Sequence, residues 1–221
     1  MKKKLVIFGT STVAQLAQYY FDTDSDYRVV AFTVDRSFCD RDYISGLPVV
    51  PFEEVARLYP PEEYFFFVAL GYSSLNTLRH EKFIRARAMG YTLASYISSR
   101  ATVLTQYELG ENCFLLEDNT VQPFVEIGEN VTLWSGNHIG HHAQIESHTF
   151  ISSHVVVSGG VRIGESCFIG VNSTLRDQVI VGDRCVIGAG SLITQDAAAD
   201  GVYGAAATPR SKVPSSRLRS I

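Results

Sequence analysis

The sequence predicts a chain of two parts, a small parallel α/β sheet of Rossmann-like type followed by a parallel β-helix of about five coils, and three observations carry this. Sixteen apolar residues recur every six positions from Val103 to Ile193 without a miss. A period this short means that identical units stack, each burying its apolar residue against the next. The position two before each is usually small or β-branched, as at Cys113, Val131, Ala143, Thr149, Cys167, Ser173 and Cys185, so both sets point inward. Upstream, apolar runs ending in glycine or aspartate alternate with helical stretches, the pattern of strands and crossover helices.

The first part spans residues 1–97. Lys4 to Phe8 reads as a buried strand ending at Gly9, followed by a helix from Thr12 to Phe21. Tyr27 to Val34 is a second strand ending at Asp35, Tyr64 to Leu70 a third ending at Gly71, Leu75 to Met89 a helix, and Tyr91 to Tyr96 a further strand. In such sheets ligands bind beyond the carboxyl ends of the strands, which points to Gly9, Thr10, Ser11, Asp35, Gly71 and Tyr72 as substrate-binding candidates. The run Gly9-Thr10-Ser11-Thr12-Val13-Ala14 keeps only the first glycine of a dinucleotide fingerprint, which argues against NAD. The helix start behind Gly9 can still hold a nucleotide or a phosphate through its backbone N–H groups.

The second part spans 98–196, three short strands to a coil of eighteen residues. Glycine follows the aliphatic residue at Gly110, Gly128, Gly140, Gly164, Gly170, Gly182 and Gly188, where a corner residue with positive φ is expected. After Ile193 the pattern stops. Residues 197–221 read as a tail that leaves the last coil along Val202 to Thr208 and turns basic at Arg210, Lys212, Arg217 and Arg219.

At 221 residues, 46% apolar and 19% charged, the composition is that of a soluble globular protein, and a net charge of −4 gives no reason to expect nucleic acid as a partner. The apolar run Leu5 to Phe8 is too short for a secretory segment or a membrane span, so the expected setting is cytoplasmic, with no membrane partner. Cys113, Cys167 and Cys185 occupy the small inward slot and are expected to be reduced core thiols. No C-x-x-C pair suggests zinc.

Five of the six histidines lie between 138 and 154. His142, His148 and His154 fall three residues after an inward aliphatic, one at each of three successive corners, and His141 alone falls two after. An imidazole on a rigid scaffold suits proton removal from an attacking amine or hydroxyl. A metal held by these histidines would require an oligomer, because three corners of one prism point apart.

With these motifs in place, the chain resembles the bacterial sugar acyltransferases of the left-handed β-helix type, sialic acid O-acetyltransferase and the nucleotide-amino-sugar N-acetyltransferases. The resemblance rests on Val6-Ile7-Phe8-Gly9-Thr10-Ser11, Phe32-Thr33-Val34-Asp35, Phe67-Val68-Ala69-Leu70-Gly71 and the run Ser135 to Ser191, with Cys167-Phe168-Ile169-Gly170-Val171-Asn172-Ser173 and Ile187-Gly188-Ala189-Gly190-Ser191 within it.

It implies a left-handed helix, a cytoplasmic homotrimer, acetyl-CoA as co-substrate in the groove between adjacent prisms, and a nucleotide-linked amino-deoxy sugar for surface glycan held by the first domain. It places the catalytic base on His141, with His142 beside it, and the coenzyme contacts on Phe150, Val171, Ala189 and Gly190. Asn137 and His138, just upstream, become candidates for substrate contact. Asp35 matches the second acid of a pair that holds the nucleobase, Val34 replacing the first; uridine, deoxythymidine and guanosine stay open. Several relatives carry a carboxylate beside the catalytic histidine where this chain has Gly140 and His142, which leaves Glu117, Asp118 or Glu146 to reach the site from another coil or subunit, or none. A hydroxyl acceptor, as in sialic acid O-acetylation, is the nearest alternative, and a zinc protein of the γ-type carbonic anhydrase kind a more distant one.

Overall fold

The computed structural model describes residues 2–210 and 212–217; Arg219 of the basic tail lies outside the described residues. The first domain is built from β1 (Lys3–Phe8), α1 (Thr12–Thr23), β2 (Tyr27–Val34), β3 (Tyr43–Ile44), β4 (Leu47–Pro51), α2 (Val55–Leu58), β5 (Phe65–Val68) and α3 (Thr77–Ala88). The strand order is β3-β4-β2-β1-β5. β1 pairs in parallel with both β2 and β5, β4 pairs in parallel with β2, and β3 closes the edge as an antiparallel hairpin with β4.

Ala14, Ala17 and Phe21 give α1 a buried stripe at helical spacing. α3 departs from that rule, because its buried face carries Arg79 and Lys82 beside Phe83 and Ala86. Strand β4 was not expected: Pro48 and Pro51 argue against a strand, and it exists because it lies one short hairpin strand from the edge.

The strand expected over Tyr91 to Tyr96 is not formed as such. Leu93 makes a single bridge to Phe66, Ala94 packs in the core cluster that continues into the second domain, and Tyr96–Ile97 then pairs with Phe114–Leu115 as the first rung of the prism. The segment crosses from one core to the other.

The second domain is a three-sided prism whose faces hold seven, six and four short parallel strands. Rungs lie eighteen residues apart: Leu115, Leu133, Ile151, Ile169 and Ile187 stack on one face, Val121, Ile139, Val157 and Leu175 on the next, Ile127, Ile145, Ile163 and Val181 on the third. Their side chains and the small-slot residues form one continuous core. Cys, Ser and Thr are interchangeable in that slot for a shared reason. Cys113, Thr149, Cys167 and Ser173 each donate to the carbonyl of the residue fifteen positions on, at 2.9–3.2 Å. All four cysteines are free thiols, and burial pushes those of Cys113 and Cys167 up to about 12.

Two sequence expectations are corrected here. The glycines after the inward aliphatics do not have positive φ. That conformation falls two residues later, at Asn112, Asn130, His142, His148, His154 and Asn172 among others. Glycine is needed at the earlier position for close approach instead: a Cβ on Gly140 would stand 2.7 Å from the backbone of Gly159 on the next coil. The prism also runs past Ile193. Ala197 bridges to Val181, and Val202–Tyr203 pairs with Val186–Ile187, so the last coil is completed two residues short.

Candidate functional site

The exposed corner between the second and third faces carries His141 and His142. His141 donates its backbone N–H to Gln122 Oε1 at 2.8 Å, and its carbonyl accepts from Gly160 at 2.9 Å. The Cε1–Nε2 edge of the His141 ring lies over Gly159, where a Cβ would come within 2.7 Å of it. His142 takes φ 58°, and its ring leans on Phe124 with centroids 4.7 Å apart. The two Nδ1 atoms are 3.1 Å apart. Both rings are exposed and open into a cavity with Gln144, Gly160, Arg162 and Gln178.

None of the carboxylates expected to orient His141 does so within the chain. Glu117 stands at a different corner and is engaged by Tyr20 Oη at 2.7 Å and Ser135 Oγ at 2.9 Å. Glu146 lines the neighbouring hollow on the third face, with Gln144 and Arg162 common to both. Asp118 sits in a left-handed corner whose N–H donates to the Arg100 carbonyl.

Of the coenzyme candidates, Val171, Ala189 and Gly190 are exposed on one corner column between the first and second faces, where Gly190 N–H donates to the Val171 carbonyl at 2.8 Å. Phe150 is not available to a ligand. It is 3% exposed, enclosed by Tyr72, Phe168 and Trp134 with the Arg79 guanidinium 5.9 Å from its ring, because the first domain packs on that face. Asn137 is likewise corrected from substrate contact to scaffold. It is buried; its Oδ1 accepts from Val155 N–H at 2.7 Å, its Nδ2 donates to the Trp134 carbonyl, and its own N–H is held by Asn119 one coil earlier. His138 faces outward, half-buried, between Thr120 and Val156.

In the first domain, the carboxyl ends of β1, β2 and β5 converge as expected. Gly9 turns at φ 123°, and a Cβ there would lie 2.7 Å from the Ala69 carbonyl. Thr10 and Ser11 lead into α1, and Gly71 follows β5. Tyr72 is half-exposed, its ring resting on Phe150 and Phe168 of the prism. Asp35 accepts from the buried Lys82 ammonium at 2.8 Å, with Arg85 3.7 Å away. Lys82 lies over the Phe8 and Phe52 rings. It was missed because a lysine within a helical stretch reads as solvated. The only warning in the sequence was its place on the same face as Phe83 and Ala86.

The domains are joined by Arg79 of α3, fully buried. Its guanidinium donates to the Asn130 carbonyl, to Asn76 Oδ1 at 3.0 Å and to the His148 carbonyl at 2.8 Å, and burial lowers its affinity for the proton to about 9. His80, His148 and Glu165 meet beside it, with ligand-type atoms within 4.8 Å of one another. The hydrogen bonds on His148 decide what this trio is. Val68 N–H donates to Asn112 Oδ1 at 2.7 Å, Asn112 Nδ2 donates to Asn130 Oδ1 at 2.8 Å, and Asn130 is left to donate to His148 Nδ1 at 2.9 Å. His148 therefore carries its proton on Nε2, 3.6 Å from Glu165, and that nitrogen has no lone pair for a metal. Burial pushes the His148 imidazolium down to about 3, so the ring is neutral.

Comparison with known proteins gives the following. Residues 125–159 and 160–195 match the family profile described as bacterial transferase hexapeptide (six repeats). No curated protein matches the chain by sequence. Among solved structures, the acetyltransferase domain of PglB from Neisseria gonorrhoeae aligns with TM-score 0.82 and 24% identity over 92% of this chain and 97% of that one. PerB from Caulobacter crescentus, solved with CoA and GDP-perosamine, aligns with TM-score 0.80 and 22% identity over 91% and 94%. WeeI from Acinetobacter baumannii aligns with 0.76 and 18% over 91% and 96%. The chain thus carries bacterial transferase hexapeptide repeats and has, over both domains, the fold of these proteins, an α/β domain followed by a left-handed β-helix.

Proposed function

We propose that this protein is an acetyl-CoA-dependent acetyltransferase that N-acetylates a nucleotide-linked amino-deoxy sugar for surface glycan, acting as a cytoplasmic homotrimer with His141 as general base. The observation that carries this reading is the shared two-domain fold. It matches PglB, also solved with acetyl coenzyme A, and PerB, solved with CoA and GDP-perosamine, along nine-tenths of the chain. A prism alone serves many functions; a prism preceded by this crevice is far more restrictive.

In this reading the nucleotide lies in the crevice at Gly9, Thr10, Ser11 and Asp35, and the sugar reaches toward the corner of His141. The thioester lies along the column of Val171, Ala189 and Gly190 from a neighbouring prism. The sugar amine attacks the thioester carbonyl carbon, forming the N–C bond while its proton passes to His141 Nε2. Collapse breaks the C–S bond, and the proton goes on to the coenzyme sulfur. Holding acceptor and thioester on rigid scaffolds supplies much of the acceleration, and the base contributes about 10²–10⁴-fold more.

The test is thiol release from acetyl-CoA with UDP-, dTDP- and GDP-linked 3-amino- and 4-amino-deoxy sugars, for wild type and His141→Ala. Turnover of one sugar, reduced at least ~10²-fold in the variant, supports the reading. Turnover only of a free sugar hydroxyl replaces it with O-acetylation, and full activity in His141→Ala removes the base assignment.

A further inference from the structure

We infer that His142 is a positioning residue for His141: its Nδ1 accepts the Nδ1–H of His141 and so fixes the tautomer that leaves His141 Nε2 as a lone pair. This rests on the reading of His141 as the base. The two Nδ1 atoms stand 3.1 Å apart, and a hydrogen bond between them can be wired in only two ways. If His142 donates, His141 must carry its proton on Nε2 and has no nitrogen free to take another. If His141 donates, Nε2 is open and His142 keeps its own proton on Nε2 of an exposed ring.

The reading of His141 as the base selects the second wiring, since only that one leaves it a nitrogen able to take the amine proton. Among the described residues no carboxylate pairs with either ring, the single histidine–carboxylate pair being His148 with Glu165. His142 is itself held in place, by a left-handed backbone at φ 58° and by the Phe124 ring. The partner that the structure gives the His141 ring is thus a second imidazole.

The proton balance is closed. When Nε2 takes the amine proton, His141 becomes an imidazolium that still donates from Nδ1 to neutral His142. No proton crosses between the rings, and Nε2 returns its proton to the leaving sulfur. A neutral acceptor orients the ring without compensating the new charge, so its removal costs less than the ~10⁴-fold seen where a buried carboxylate is replaced in a serine protease triad.

The experiment uses the full-length protein and two readouts. In long-range 1H–15N spectra, with His141 assigned by its loss in His141→Gln, wild type is expected to show Nδ1 protonated and Nε2 bare. His142→Ala should give a mixture of tautomers, and His142→Asn, whose side-chain oxygen accepts the same bond and which suits a left-handed corner, should restore the wild-type pattern. In turnover, His142→Ala should lower kcat about 10- to 100-fold with both KM values within about twofold, and His142→Asn should recover to within about fivefold of wild type. A His141 protonated on Nε2 in wild type, or a tautomer unchanged in His142→Ala, overturns the inference. The spectra need no substrate, so they decide it even if no sugar of the panel is acetylated.

Discussion

His142 and His148 occupy the same slot of the hexapeptide, one repeat apart, with nearly the same backbone, φ 58° and 64°. Their surroundings differ. His142 is exposed, leans on Phe124 and meets only another imidazole. His148 is 4% exposed, lies under the His80 ring at 3.7 Å, is flanked by Phe83 and takes a hydrogen bond from Asn130. The repeat fixes where a corner residue stands. What packs on that corner decides whether it is a reactive group or a neutral part of the scaffold. For His148 that covering element is α3, seated by Arg79.

The largest effect is therefore expected from Arg79→Met. The variant leaves the Asn130 and His148 carbonyls and Asn76 Oδ1 without their buried donor and should lower the unfolding free energy by about 3–5 kcal/mol in urea titration. A loss under ~1 kcal/mol would mean that α3 is held on the prism by its apolar contacts alone, and that the covered corner owes little to this residue.

Next comes the acid response of the covered histidine. Its proton affinity is pushed from the ordinary 6.5 down to about 3 in the folded protein, so the unfolded chain takes up a proton that the folded one refuses. Stability from this group is complete above pH 6.5 and is lost progressively as pH falls toward 3, amounting to about 2–3 kcal/mol by pH 4.5. Wild type should lose that much more than His148→Asn between pH 7 and 4.5. Parallel stability curves for the two proteins would show that the corner admits water or a counter-charge when acidified.

The smallest effect is expected at the third member of the series. His154 has the same slot, φ 57°, and is exposed. His154→Asn keeps a residue suited to the corner and should change stability by less than about 0.5 kcal/mol, with kcat unchanged. A larger loss of turnover would give this corner a part in the site that the reading above assigns to His141 and His142.

Much of this organisation is legible in the sequence because the β-helix is nearly one-dimensional. Each aliphatic residue touches its counterpart eighteen positions away, so periodicity alone identified the core column from Leu115 to Ile187, and the cysteines within it. The alternation of strands and turns placed Gly9, Asp35 and Gly71 at one end of a sheet for the same local reason. The roles of individual side chains were harder to read. Phe150 and Asn137 look like candidates for contact until the first domain is seen packed over one and the Asn119 ladder threading the other. Lys82 and Arg79 look solvated until α3 is docked.

By itself, then, the sequence determined the two-part architecture, the inward faces and the crevice, since these follow from periodicity and local backbone preference. Only the tertiary structure decided which of three equivalent histidine corners is covered, which nitrogen of His148 carries its proton, and that the nearest partner of His141 is His142 rather than an acid. The first two of these depend on burial and on hydrogen bonds between residues far apart in the chain, such as Asn112 with Asn130 and Arg79 with His148. No local pattern encodes them, because the free energy that settles them arises only when the domains meet.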